Sequence, residues 1–94
     1  MPYLLIDHTV EDYDEWKPHF DDHAGTRAES GSKGGQLFHK EGKPNEIVAL
    51  FEMGSHEDAH DFASSDELQE TMKEAGVVGE PTLYFLEKIE DVPE

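Results

Sequence analysis

Apolar residues alternate with polar ones, or run continuously, along four short segments that are rich in β-branched and aromatic residues. Between these segments, apolar residues recur every three or four positions, which is the spacing of a helix with one buried face. The pattern predicts strands over residues 3–9, 36–41, 46–53 and 82–89. It predicts helix from residue 12 to about residue 30 and, in two pieces, over residues 55–75.

Local residues predict where the first helix begins and ends. Asp12, with Glu15 three residues later, forms an Asp-led capping box at its start. Pro18 lies too far into the helix for a free first-turn position, so we expect a kink or a short 3₁₀ start there. Gly31 ends the helix, and the Ser-Lys-Gly-Gly segment of residues 32–35 is predicted to be a turn.

The second helical stretch contains two start points. Ser55 begins a short helix, and Ser64 with Glu67 forms a capping box that begins the next, which Gly76 ends. Residues 76–81 are predicted to lead into the last strand. The order β-α-β-β-α-β predicts an α+β, ferredoxin-like fold with a four-stranded antiparallel sheet. Since the chain is too short for a second core, residues 1–94 are predicted to form one domain.

The strands are apolar on both faces of the predicted sheet. The alternating sets are Ile47, Ala49 and Phe51 against Val48 and Leu50, and Leu83 and Phe85 against Tyr84 and Leu86. Helices can cover only one face, and an antiparallel sheet with a solvated face should alternate apolar with polar residues. We therefore predict a homodimer in which a second copy covers the other face. The alternative is a monomer with an open apolar face.

The inner face of the first helix contains two residues that do not suit a hydrophobic core. On a helical wheel, the arc opposite the acidic residues holds Tyr13, Trp16, Phe20, His23, Ala24 and Arg27. Burying a guanidinium without a partner is unfavourable. Arg27, the only arginine of the chain, therefore either pairs with a carboxylate such as Asp7 or Glu52, or lines a cavity between helix and sheet. The two interpretations are compatible, because an arginine held at a cavity wall can bind a carboxylate, phenolate or enolate.

Acidic residues dominate the composition, with 23 Asp and Glu against 7 Lys and Arg and a net charge of −16. They are dispersed along the chain, which is typical of cytoplasmic proteins from salt-accumulating halophiles. The charge excludes nucleic acid and anionic membranes as partners, because the chain cannot neutralise phosphates. With no cysteine, disulfide and thiolate chemistry is excluded. The first residues have no signal-peptide pattern and no segment approaches a membrane span, so we predict a cytoplasmic protein.

Short motifs spread over nearly the whole chain carry a resemblance to a known group. They are Val10-x-Asp12-Tyr13-x-x-Trp16-Lys17, His23-x-x-x-Arg27, Gly31 with Gly34-Gly35, Pro44-Asn45-Glu46, and the GVVGEP…YFLE ending. In these the chain resembles antibiotic-biosynthesis-monooxygenase-like proteins of the dimeric α/β-barrel superfamily. The resemblance implies that two sheets form a barrel in the dimer, with a cavity between helices and sheet in each subunit. That superfamily includes cofactor-free oxygenases, polyketide cyclases, isomerases, haem-degrading enzymes and stress-response proteins without known activity.

The residues of this chain do not match the haem-degrading members of that group. Those enzymes use an asparagine on the first strand, a tryptophan from the third strand and a histidine on the second helix. Here the first strand offers Asp7 and His8, the third ends in Phe51-Glu52-Met53, and Trp16 on the first helix is the only tryptophan. We therefore expect no haem and no other cofactor.

Two pairs of histidines have the i,i+4 spacing of partial metal sites, namely His19 with His23 and His56 with His60. No third ligand occurs at a diagnostic spacing, so we predict no metal site. His8 and His39 lie on strands, where a histidine that is hydrogen-bonded within the sheet is the usual case.

The predicted function is the binding of a small aromatic or polyketide-like compound in the helix–sheet cavity. The reaction would be oxygenation or cyclisation/isomerisation, with His23 as general acid or base and Arg27 holding an oxyanion. The predicted substrate-binding residues are Trp16, Phe20, Tyr84 and His8. The alternative is a non-catalytic stress-response or ligand-binding dimer that uses the same cavity.

Overall fold

Four strands and four helices make up the computed structural model, which describes residues 1–94. The strands are β1 (Pro2–Val10), β2 (Ser32–Lys40), β3 (Lys43–Met53) and β4 (Val77–Glu87). The helices are α1 (Tyr13–Asp22), α2 (Ala24–Glu29), α3 (His56–Ala63) and α4 (Asp66–Glu74). The strands form one antiparallel sheet in the order β2-β3-β1-β4, which confirms the predicted α+β, ferredoxin-like fold. None of the four helices has the length and apolar character needed to cross a membrane.

All four helices pack on one face of the sheet. Leu4 and Phe51, which are paired across β1 and β3, lie in the larger core cluster together with Phe62 and Leu68 from the second helical stretch. A smaller cluster forms around Trp16 at the end of the sheet nearest the start of α1. The alternation of strand side chains therefore sends one set of residues toward the helices and the other set toward the opposite, outer face.

The first helical stretch breaks at His23 and not at Pro18. Asp12 caps α1 as predicted, with its Oδ1 accepting the N–H of Asp14 at 3.0 Å. Pro18 lies inside α1, where its missing N–H removes one hydrogen bond without ending the helix. His23 takes φ −85° and ψ 0°, and α2 resumes at Ala24. Gly25, a weak helix former, follows directly and makes this the easiest place to bend.

Both segments that were predicted to be turns or loops before a strand are part of the strand itself. Ser30 and Gly31, the latter at φ 102°, make the turn, and Ser32 already pairs with Met53. At the other edge, Val77 pairs with Val10, so β4 begins five residues before its predicted start. In both places, pairing with a neighbouring strand overrides the local preference of glycine and proline for turns.

The start of α4 is one residue later than predicted. Ser65 is the capping residue, and its Oγ accepts the N–H of Leu68 at 3.2 Å. Ser64 instead ends α3, donating its hydroxyl to the carbonyl of His60 at 2.8 Å. Ser64 thus ends α3 and Ser65 begins α4. The spacing to Glu67 alone selected Ser64 as the start of α4, which is wrong.

No part of the chain covers the outer face of the sheet. Apolar side chains lie on this face in every strand, among them Phe38, Leu50, Leu5 and Tyr84, and Phe38 and Tyr84 are each 51% exposed. Polar residues share the face, namely Gln36, Thr82, Thr9, Asp7, Glu46 and Glu52. At one end of this face Lys40 lies between two carboxylates, its Nζ 3.4 Å from Asp7 Oδ1 and 3.4 Å from Glu46 Oε1. The outer face therefore has an apolar centre, with charged residues toward both ends.

Candidate functional site

A cavity of about 40 Å³ lies between the helices and the inner face of the sheet. β1 and β3 form its floor, α1 and α2 one wall, and α3 and α4 the other. It would hold about three water molecules. Five of the six predicted site residues line it: His8, Trp16, Phe20, His23 and Arg27. No aspartate or glutamate lines the cavity. Apart from Thr71, which has a hydroxyl, the polar residues that line it carry nitrogen in their side chains.

Arg27 is held by a backbone carbonyl and two aromatic rings. Its Nη1 donates to the carbonyl oxygen of Phe20 at 2.7 Å, and its guanidinium carbon lies 3.8 Å from the centre of the Phe20 ring and 5.6 Å from that of Phe51. Asp7 and Glu52 lie on the outer face of the sheet, so the predicted alternative of an ion pair with either is wrong. Burial lowers the pKa of Arg27 from its ordinary value, with a smaller opposing effect of Asp21, and the guanidinium stays charged.

His8 is buried on β1 with an unpaired ring nitrogen. It is 6% exposed, its ring centre lies 5.4 Å from that of Trp16, and its Nδ1 has no hydrogen-bond partner. The expectation of a histidine satisfied within the sheet is therefore wrong at that atom. Burial lowers the pKa of His8 below its ordinary value of 6.5, so the imidazole is neutral at pH 7. A buried, unpaired nitrogen on a residue that lines a cavity is a candidate for a hydrogen bond to a ligand.

His23 lies at the break between α1 and α2, at the end of the cavity near Phe62. The two ring centres are 6.3 Å apart. Its Nε2 is buried without a hydrogen-bond partner, 3.8 Å from Oε1 of the exposed Glu67. The cavity wall thus contains two imidazoles, each with one unpaired nitrogen, and a guanidinium with no carboxylate partner.

The remaining wall is aromatic. Trp16 is 4% exposed, and its ring centre lies 4.9 Å from that of Phe20, which is 6.1 Å from that of Phe51. This continuous set of rings places flat apolar surfaces beside the guanidinium of Arg27, an arrangement suited to a planar ligand that carries negative charge.

Tyr84 does not belong to this site. It pairs with Leu5 of β1 on the outer face, while its neighbours Leu83 and Phe85 point toward the helices. Because both faces of β4 are apolar, the alternation of the sequence could not show which set points inward. The placement of Tyr84 among the substrate-binding residues is therefore corrected.

The second helical stretch supplies wall residues that the sequence did not single out as functional. Leu68, Met72 and Ala75 follow the helical spacing expected of core residues, and all three line the cavity. Thr71 also faces it, and no spacing or motif marks that residue. No group of three or more histidine, aspartate or glutamate side chains lies close enough together to hold a metal ion.

The burial of His8 predicts a pH-dependent contribution to stability. Its folded-state pKa lies below its unfolded value, so the contribution is full above pH 6.5 and is lost as pH falls from there toward the folded pKa. Replacing His8 with glutamine removes this titration. We expect the difference in unfolding free energy between wild type and H8Q to shrink, or to reverse, between pH 7.5 and about pH 5, as measured by urea denaturation. A difference that is constant with pH would contradict the buried neutral imidazole.

The sequence matches no protein-family model and no curated protein, but solved structures share its fold. SnoaB, a cofactor-independent oxygenase from Streptomyces nogalater, superposes with a TM-score of 0.76 at 15% identity, over 99% of this chain and 97% of that one. Rv0793 from Mycobacterium tuberculosis gives a TM-score of 0.67 at 15% identity, over 99% and 100%. An antibiotic biosynthesis monooxygenase gives 0.72 at 10% identity, over 96% and 100%. This chain therefore has the ferredoxin-like fold of antibiotic biosynthesis monooxygenase-like proteins, as its motifs predicted.

Proposed function

We propose that the protein is a homodimer in which each subunit binds a small aromatic or polyketide-like compound beside Arg27 and oxygenates it without a cofactor. The observation that carries this proposal is the cavity wall: an aromatic stack, two imidazole nitrogens and a guanidinium, with no carboxylate among the residues that line it. Such a site stabilises a substrate that has lost a proton. The fold shared with SnoaB, a cofactor-independent oxygenase, is consistent with it.

The dimer is supported by the outer face of the sheet. The apolar centre of this face, which no helix covers, is unfavourable in water, and a second copy would bury it. Two copies related by a twofold axis would place the same surface on each side, which is the commonest arrangement of soluble oligomers. The sequence prediction that Tyr84 lines the substrate site is thus replaced by a position in this interface.

The proposed reaction converts an activated CH₂ group and O₂ into a carbonyl group and one water. A base first removes a proton from the carbon, and the carbanion is delocalised onto a phenolic or enolic oxygen that Arg27 stabilises. The carbanion passes one electron to O₂, and the resulting radicals combine to a peroxide anion. The peroxide takes back the proton, and the hydroperoxide breaks its O–O bond with loss of water to leave the carbonyl.

His8 is the proton acceptor in this proposal, in place of the His23 that the sequence suggested. An acceptor must be neutral before the reaction, and burial keeps His8 in that form. Its Nδ1 is unpaired, and the residue lines the cavity. His23, at the other end of the cavity, is then a hydrogen-bond partner for the substrate. The same deprotonation without O₂ would serve a cyclase or an isomerase.

Oxygen consumption tests the reaction. With a dihydroxyanthrone as probe, which carries both phenols and an acidic CH₂ group, we expect the wild type to consume O₂ faster than buffer alone. Replacing Arg27 with glutamine should lower this rate about a hundredfold, the usual effect of removing one oxyanion-stabilising group. Replacing Lys17 with glutamine breaks an exposed ion pair with Asp21 on the same helical stretch and should leave the rate unchanged. Equal rates in wild type and R27Q would contradict the proposed role.

A non-catalytic ligand-binding dimer is the second candidate, because the small cavity leaves little room for O₂ beside a bound compound. About 40 Å³ is far below the volume of common small-molecule sites, and Phe20, Phe51, Phe62 and Leu68 occupy much of the space. Calorimetric binding of the anthrone without oxygen consumption or any other conversion of the compound would establish this function and exclude the enzymatic one.

A further inference from the structure

An open cleft of about 440 Å³ lies beside the cavity, between α1–α2 and the edge strand β2. Three residues line both spaces: Phe20, Arg27 and Phe51. Arg27, with the Phe20 ring against which it stacks, therefore forms the boundary between the small buried cavity and the larger cleft. The cleft has the volume of common small-molecule sites, which the cavity lacks.

The start of β2 shapes the outer wall of this cleft. The register of β2 against β3 shifts between Ser32 and Gly35, and such an irregularity bends an edge strand. Gly35 approaches β3 so closely that a Cβ there would lie 1.9 Å from the carbonyl oxygen of Leu50. Gly34 has φ 105°, a conformation that other residues rarely adopt. The two glycines leave this part of the wall without side chains, which keeps the cleft open.

Two cationic residues that form no ion pair with a carboxylate also line the cleft. Of the seven Lys and Arg residues, Lys17, Lys40, Lys43 and Lys88 form ion pairs with carboxylates. Arg27 and Lys33, which both line the cleft, form none, and no aspartate or glutamate lies among its eleven lining residues. In a chain with 23 acidic residues, a concave surface whose lining includes two cations and no carboxylate differs from the surface as a whole.

We propose that this cleft is a carboxylate subsite, so that the compound bound in the proposed function is an aromatic or polyketide acid. The carboxylate lies between Lys33 and Arg27, and the aromatic body lies against the Phe20 and Phe51 rings. The guanidinium of Arg27 suits this role because it can donate two parallel hydrogen bonds to a carboxylate while its face stays on an aromatic ring. This assignment rests on the proposed function for the location of the aromatic body.

The charge of the whole protein makes the two cations necessary. A net charge of −16 repels anions over the Debye length of about 8 Å at physiological salt. An acid can bind only where nearby cations outweigh this repulsion. The cleft then selects acids by ion pairing at short range, and the rest of the surface repels polyanions such as nucleic acid.

Calorimetry with a matched pair of probes tests the subsite. A hydroxynaphthoate and its methyl ester share the aromatic body and differ in the carboxylate. We expect the wild type to bind the acid about tenfold more tightly than the ester, from hydrogen bonds to a charged group. Replacing the exposed Lys33 with glutamine should weaken binding of the acid by about threefold and leave the ester unchanged. Replacing Lys73, an unpaired cation on α4 outside this cleft, should change neither.

The outcomes separate the subsite from the proposed function. Equal affinity for acid and ester, with no effect of K33Q, would overturn the subsite while the binding of an aromatic compound stands. Binding of neither probe would overturn both. If K73Q reduces the preference for the acid as much as K33Q does, the preference comes from the net charge of the protein and not from this cleft. That result too would overturn the subsite.

Discussion

Replacing Leu50 with glutamate is expected to convert the proposed dimer to a monomer of 10.6 kDa. Leu50 lies on the outer face between Leu5 of β1 and Gln36 of β2, so it would be central in an interface between two sheets. Each dimer would bury two glutamates without cationic partners, which opposes association by about 3 kcal/mol or more. The dissociation constant should therefore rise at least about a hundredfold. Light scattering after size-exclusion chromatography, at several micromolar concentrations, gives the mass and hence the dissociation constant of the dimer.

The matched control adds the same charge away from the sheet. Gln69 is exposed on α4, and Q69E should remain a dimer with the mass of the wild type. A wild type that runs as a monomer at micromolar concentration would refute the dimer itself. A dimeric L50E would show that the two copies meet through some other surface.

Stability is expected to rise steeply with potassium chloride. None of the 23 aspartates and glutamates is buried, and only four of them, Asp7, Asp21, Glu46 and Asp91, pair with a lysine. Their mutual repulsion is screened as the Debye length falls from about 8 Å at physiological salt to about 3 Å at 1 M. If screening recovers about 2 kcal/mol, the melting temperature should rise by about 8–16 °C in this range. Differential scanning calorimetry in KCl measures the shift.

A variant with fewer charges distinguishes screening from a general salt effect. Neutralising the exposed Asp22, Glu29 and Glu70 as the corresponding amides removes three charges that have no lysine partner. The variant should melt higher than the wild type in dilute buffer and gain less from KCl. A wild-type melting temperature that does not change with KCl would contradict the prediction of a halophilic surface.

The fold followed from residue patterns to a large extent, because strand alternation and helix caps are local properties. Asp12, Gly31 and Gly76 end or begin helices where the sequence placed them, since a cap needs only its own neighbours. The edges of the sheet were missed for the opposite reason. Ser32 and Val77 belong to strands because Met53 and Val10 lie opposite them, and those partners are distant in the chain.

The candidate site was predicted in its helical half and less well in its sheet half. His23 and Arg27 stood out because polar residues interrupted an apolar arc, and the arc persisted through the break in the helix. His8 shares the cavity, but nothing on its strand indicated that Nδ1 would lack a partner. Tyr84 was assigned to the wrong face, because a strand that is apolar on both sides has no preferred orientation until its partners are known.

Trp16 is an intrinsic fluorescent probe of the cavity. It is the only tryptophan of the chain, and its indole is 4% exposed with the His8 ring 5.4 Å away and the Phe20 ring 4.9 Å away. Fluorescence excited at the red edge of the ultraviolet absorption band therefore comes from this one residue in the cavity wall, and no added dye or label is needed. Protonation of the imidazole quenches indole emission on contact, and an aromatic guest shifts it. The same fluorophore thus records the charge of His8 and the occupancy of the site.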